Sequence, residues 1–140
     1  MSELSLKVSR TIKAPIEKVY NAWLDPIMLA KFMIAGEGMT VPKAETDARE
    51  GGRFSIIMAA GAQEMPHGGE YLKLDPYSTI KFSWESPFSV EGSTVTIQFG
   101  EVDDGTYVEL EHVKFVDEES RDNHEAGWVA ILTKLDDALS

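Results

Sequence analysis

The stretch His124-Glu125-Ala126-Gly127-Trp128-Val129-Ala130-Ile131-Leu132-Thr133-Lys134-Leu135-Asp136-Asp137-Ala138-Leu139 decides the fold. Trp128, Ile131, Leu132, Leu135 and Leu139 recur at spacings of three and four, the period of a helix with one apolar stripe. The stretch closes a long run of strand-like sequence, so this helix has a sheet to pack on. His124 shares a face with Trp128 four residues away, which aims an imidazole and a large aromatic at whatever lies beneath. A helix of roughly 20 residues reaches about 30 Å, enough to cross a whole sheet.

Upstream, turn chemistry cuts the chain into strands. Gly51-Gly52 joins a polar strand over 44–50 to Arg53–Ala60. A loop containing Gly61, Pro66 and Gly68-Gly69 leads into a strand over 70–74, and Asp75-Pro76 turns it into another over 79–85. Pro87 and Gly92 bound the next loop, and Asp103-Asp104-Gly105 is a hairpin signal between strands over 94–101 and 106–115. At the N-terminal end Leu4, Leu6, Val8 and Ile12 alternate with polar residues as a half-buried strand does. Arg10 is the one charge on its apolar side, placed at a strand end or paired with an inner carboxylate. Ala14-Pro15 and the Asp25-Pro26 cap then start two short helices, the first carrying Ile16, Val19, Tyr20 and Trp23, the second Leu29 and Phe32. The order is strand, two helices, six strands, long helix. Short turns make consecutive strands antiparallel neighbours, so the expected class is α+β: a curved antiparallel sheet wrapped around a long C-terminal helix.

The 140 residues suit one domain with one hydrophobic core. A composition of 26% charged and 43% apolar residues is that of a soluble globular chain. The longest apolar run, 56–62, is too short for a bilayer, and no secretory signal pattern is visible. With 24 acidic against 13 basic side chains the net charge is −11, which repels phosphate backbones and anionic lipid heads. No nucleic-acid partner and no membrane insertion are expected. The absence of cysteine removes disulfides, thiolate zinc sites and cysteine nucleophiles together, with a reducing cytoplasm as the default setting.

The ordered set Ala14-Pro15, Trp23, Asp47-x-Arg49-x-Gly51-Gly52-Arg53-Phe54, Gly69-Glu70-Tyr71, Phe82-x-Trp84, Gly105-Thr106, Val108-x-Leu110-x-His112 and His124-x-x-Gly127-Trp128 resembles the activator-of-heat-shock-protein-90-ATPase homologue family. That family sits in the START-like, or SRPBCC, superfamily, and the resemblance runs from about Leu6 to Leu139. It implies a helix-grip fold with an internal cavity opening near the small helices, where superfamily members hold lipids, sterols, polyketides or other hydrophobic molecules. Some members are cyclases, aromatases or hydrolases. The chain departs from the family pattern at Lys31-Phe32-Met33, where many relatives carry a tryptophan pair; Phe32 and Met33 then stand at the entrance.

Strand alternation puts Val108, Leu110 and His112 on one side and Tyr107, Glu109 and Glu111 on the other, so Leu110 and His112 face inward. A buried imidazole needs a partner. His112 is thus either a core histidine bonded to a side chain or water, or a polar anchor for a ligand, with acid–base work the rarer use. Phe54, Ile56 and Met58 on one strand, with Phe82 and Trp84 on another, are cavity walls or ordinary core. Tyr71 brings a hydroxyl inside if Glu70 faces out. Met28, Met33, Met39 and Met65 fall near the expected entrance, where flexible thioethers suit varied apolar ligands. Gly127 inside the helix costs roughly 1 kcal/mol relative to alanine, to be offset by close packing or by room for a ligand. The expected pocket therefore combines His112, His124, Trp128, Tyr71 and Leu110 with these apolar walls.

Catalytic templates are lacking. No G-x-S-x-G elbow occurs, Gly36-x-Gly38 lacks a third glycine, and His67, His112 and His124 lie in three elements without metal-site spacing. Asp103-Asp104 and Asp136-Asp137 read as a turn and a solvated helix end. No catalytic residue, metal or cofactor is assigned. The leading expectation is a noncatalytic carrier or sensor of a small hydrophobic or amphipathic molecule, of lipid, sterol or aromatic class, with a weak homodimer as a possible further partner. A cyclase- or hydrolase-type enzyme using His112 as its acid–base group is one alternative, and a chaperone-ATPase-activator-like interaction module is the other.

Overall fold

The computed structural model describes residues 4–34, 38–86 and 89–139; Gly36 and Pro87 lie outside them. Strand β1 (Ser5–Ile12) is followed by helices α1 (Ile16–Ala22) and α2 (Pro26–Phe32), strands β2 (Met39–Thr46), β3 (Arg53–Ala60), β4 (Gln63–Asp75), β5 (Thr79–Ser83), β6 (Thr94–Val102) and β7 (Gly105–Val113), and helix α3 (Glu118–Leu139). Seven antiparallel strands form one sheet in the order β1-β7-β6-β5-β4-β3-β2. The sheet curls around α3 as a half-barrel, the helix-grip arrangement.

Local chemistry explains most of these boundaries. Asp25 caps α2 by accepting the Ile27 N–H at 2.9 Å, with Pro26 at the first helical position. Pro15 is one place earlier than expected, capping α1 rather than starting it. The Asp103-Asp104 turn joins β6 to β7 with Val102 opposite Gly105. Inward residues alternate as expected along β7, where Thr106, Val108, Leu110 and His112 are buried.

Two strands differ from the sequence reading. The polar segment expected over 44–50 is mostly turn, because the Asp47 N–H donates to Arg53 O, Arg49 N–H to Asp47 O, and Gly52 N–H to Arg49 O. This tight turn needs Gly51 at φ +84°, and β2 therefore lies further upstream. The expected loop over 61–69 is instead the first half of β4, joined to β3 by Gly61 and Ala62 alone. Pro66 survives there because β4 meets β5 only from Tyr71 onward, apart from one bridge between Gly68 and Glu85. Gly68 directs its N–H to Glu85 O, on the β5 side. Pro66, two residues back, turns its nitrogen the same way, toward an edge with no strand to bond.

Helix α3 is held to β1 by a polar clasp as well as by its apolar stripe. Arg10 donates from Nε and Nη2 to Asp136 Oδ2 at 3.1 and 3.0 Å, while Lys13 N–H donates to Oδ1 at 3.0 Å. Asp136 is buried, so the reading of Asp136-Asp137 as a solvated helix end fails at its first residue. Its charge is tolerated because Arg10, the inward charge of β1, lies against it.

Candidate functional site

Two spaces open on the concave side of the sheet. Between Trp23, Leu29, Met33, Phe54, Ile56, Tyr71, Phe82 and Trp84 the side chains leave about 10 Å³, near the lower limit for one water. Here the interior is filled. Phe54 packs on Tyr71 and Phe82 with ring centroids 5.3 and 5.0 Å apart. Burial pushes the Tyr71 hydroxyl pKa up, helped by the charge of Asp47. Phe32 is fully buried against Trp23, centroids 4.9 Å apart, and Leu110 is fully buried under the sheet.

The larger inner space is a cavity of about 160 Å³ between the start of β2, the β3–β4 hairpin and the first half of α3. Its walls are Met39, Met58, Met65, Trp84, Trp128 and Ile131, with Gly127, His67, His124 and Asn123 completing them. Register explains the methionines: Met58 lies directly opposite Met65 across the β3–β4 ladder, and Met39 opposite Ala60, two residues beyond Met58 on the same face. His67, two residues after Met65, joins that face. A broader groove of about 650 Å³ lies outside, walled by exposed Glu45, Asp47 and the ion-paired Arg53 and Glu85. It is larger but solvated and charged, so the apolar cavity is the better candidate site.

His112 stands behind this wall. The Trp128 indole N–H donates to its Nδ1 at 3.0 Å. Indole is a donor only, so Nδ1 carries a lone pair and the neutral ring's proton sits on Nε2. Nε2 is 2.8 Å from Ser93 Oγ, and that hydroxyl donates in turn to Val113 O at 3.0 Å. The chain of three bonds is directional and uses both imidazole nitrogens. Burial, with a smaller contribution from the charge of His124, lowers the His112 pKa to about 3. Around physiological pH it is a neutral structural hinge between sheet and helix.

The fold brings together histidines that sequence spacing kept apart. His124 meets His112 edge-on with centroids 5.3 Å apart, and His67 lies 5.3 Å from Trp84. Trp84 in turn sits 5.2 Å from Trp128. His67 Nδ1–H donates to Met65 O at 3.0 Å, and His124 Nδ1–H donates to Ser120 O at 2.7 Å. Burial lowers the His67 pKa, and in its neutral ring Nε2 is left as the lone-pair nitrogen. Among the described residues no group of three or more His, Cys, Asp or Glu is placed to hold a metal ion, and no helix is long and apolar enough to cross a membrane.

Of the expected pocket residues, Met58, Trp84, His124 and Trp128 line the cavity. Met33, Phe54, Ile56, Tyr71 and Phe82 surround the filled interior beside it, with Trp84 on both. His112, Leu110 and Phe32 line neither. The expected pocket did not include His67, Asn123 and Ile131. The signal for His67 was the alternation Met65-x-His67 within a segment that Pro66 and Gly68-Gly69 made look like loop.

The family model described as Activator of Hsp90 ATPase homolog 1-like protein matches residues 13–140. No curated protein matches the chain in sequence. Among solved structures the chain is similar to protein CV1439 from Chromobacterium violaceum, with 27% identity, 96% of each chain covered and a TM-score of 0.83. It is similar to CalU16 from Micromonospora echinospora at 26% identity, covering 99% of this chain and 77% of that one with a TM-score of 0.74. The AHSA1-like protein from Aeromonas hydrophila shares the fold, with 24% identity, 96% and 90% coverage and a TM-score of 0.83.

Proposed function

The chain belongs to the Activator of Hsp90 ATPase homolog 1-like family, and on that premise we propose that it is a noncatalytic carrier or sensor of a small apolar or amphipathic molecule held between β2–β4 and α3. The observation that carries this reading is the cavity of about 160 Å³ walled by three methionines and two tryptophans. Thioether side chains re-pack readily around different apolar shapes, and a dry apolar cavity of about 150 Å³ is large enough for a benzene-sized guest. The size selects within the hydrophobic class: one ring or a short chain fits, whereas a sterol requires the filled space around Tyr71 to open as well. The bonding of His112 supports a carrier over an enzyme, since both ring nitrogens are engaged and its basicity is suppressed by burial.

Thermal shift and native mass spectrometry against single-ring aromatics, short-chain alcohols, fatty acids and sterols test the proposal. Saturable stabilisation with one-to-one adducts is expected from the smallest compounds, at dissociation constants of about 0.1–1 mM given so few ligand atoms. If no compound of any size gives a saturable shift, the carrier reading fails.

A further inference from the structure

Among the described residues the polar side chains on the cavity wall are the exposed Asn123, the imidazoles of His67 and His124, and the indoles of Trp84 and Trp128. Trp84 is 3% exposed, and its indole N–H has no hydrogen-bond partner. A buried donor left unmade is costly, and native interiors rarely keep one without a reason. His67, whose ring centroid lies 5.3 Å from that of Trp84, offers the opposite chemistry. Its Nδ1–H is committed to Met65 O, so the neutral ring has only an accepting Nε2 left. Trp84 also borders the space of about 10 Å³ beside Trp23, but there the room barely admits a water. Among the described residues no carboxylate, lysine or arginine lines the cavity, which disfavours a charged ligand.

Trp84 and His67, neighbouring rings of the cavity wall, leave one buried donor without a partner and one accepting nitrogen, and a hydroxyl, which both accepts and donates, matches that pair. We infer that the occupant is a small neutral ring compound bearing a hydroxyl group, a phenol or a cyclic alcohol. Its oxygen accepts the Trp84 N–H, its O–H donates to His67 Nε2, and its ring packs on Met58, Met65 and Trp128. His124, with its Nδ1–H bonded to Ser120 O, also lines the cavity. This inference rests on the carrier reading and narrows it to a ligand class.

Phenol, anisole and toluene separate the contributions, because they share a ring and differ in offering donor plus acceptor, acceptor only, or neither. Calorimetric titration of the full chain should give phenol an affinity about tenfold above toluene, with anisole between them. Trp84→Phe and His67→Phe keep a ring at each site and remove the polar atom. Each should cut the phenol preference several-fold and leave toluene nearly unchanged. Toluene binding as tightly as phenol overturns the inference while leaving the carrier reading intact. A phenol preference that persists in both variants overturns the residue assignment. If none of the three probes binds at millimolar concentration, both the inference and the reading beneath it fall. Should Trp84→Phe not fold, His67→Phe, altered at a partly buried position of the cavity wall, still decides the matter.

Discussion

The Trp128 indole N–H donates to His112 Nδ1 over 3.0 Å between two buried rings, one on the helix and one on the sheet. Removing the donor by Trp128→Phe leaves a buried acceptor unpaired and a small void. A loss of about 2–4 kcal/mol is expected. His112→Phe removes the acceptor and leaves the Ser93 hydroxyl with its bond to Val113 O alone. If the bond couples the two residues, the double variant loses less than the sum of the singles, by about 1–2 kcal/mol in urea unfolding. Strict additivity would show that the bond contributes nothing.

Acid should weaken the fold through the same histidine. In the unfolded chain the imidazole takes up a proton as pH falls below its ordinary 6.5, whereas in the folded protein burial keeps it neutral to about 3. Between those values the unfolded state binds more protons. The contribution of His112 is therefore fully present above 6.5 and is lost as pH falls, by up to about 1.4 kcal/mol per pH unit. His67, also lowered by burial, acts in the same direction. Urea midpoints followed from pH 7 to pH 4 should fall steeply in the native sequence and less steeply in His112→Phe. Parallel slopes would assign the acid sensitivity to other groups.

The inward face of β7 was readable because a period of two needs no knowledge of distant partners, and the Asp25-Pro26 cap and the Asp103-Asp104-Gly105 turn are equally local. What stayed hidden depended on long-range register. Pro66 and Gly68-Gly69 are loop punctuation unless one knows that the proline nitrogen faces an unpaired edge, and with them went the placement of His67. Asp136 looked solvated because its partner Arg10 lies 126 residues away in sequence. The contacts of His124 with His112 and of His67 with Trp84 have the same origin, since no spacing along one element encodes them.

The Arg10–Asp136 clasp predicts an asymmetric pair of variants. Asp136→Ala strips the acceptor from both Arg10 and the Lys13 N–H. The loss should be about 2 kcal/mol rather than that of a fully buried pair, because the Arg10 side chain is 40% exposed and water replaces part of the interaction. Asp136→Asn keeps an oxygen for the Lys13 N–H and should recover about half. Chemical denaturation that finds the two variants equally unstable would mean that the backbone bond at Lys13 adds nothing.

Gly127 separates the two explanations for a glycine inside a helix. It lines the cavity between His124 and Trp128, and alanine is favoured over glycine in a helix by up to about 1 kcal/mol. If the missing side chain holds space for a ligand, Gly127→Ala should raise unliganded stability toward that value. The added methyl occupies cavity volume, so phenol affinity should fall several-fold. Thermal unfolding with and without ligand reads both effects on one sample. A variant that loses stability instead would show that the glycine serves close packing of α3, and one that gains stability with unchanged affinity would show that its position does not shape the cavity.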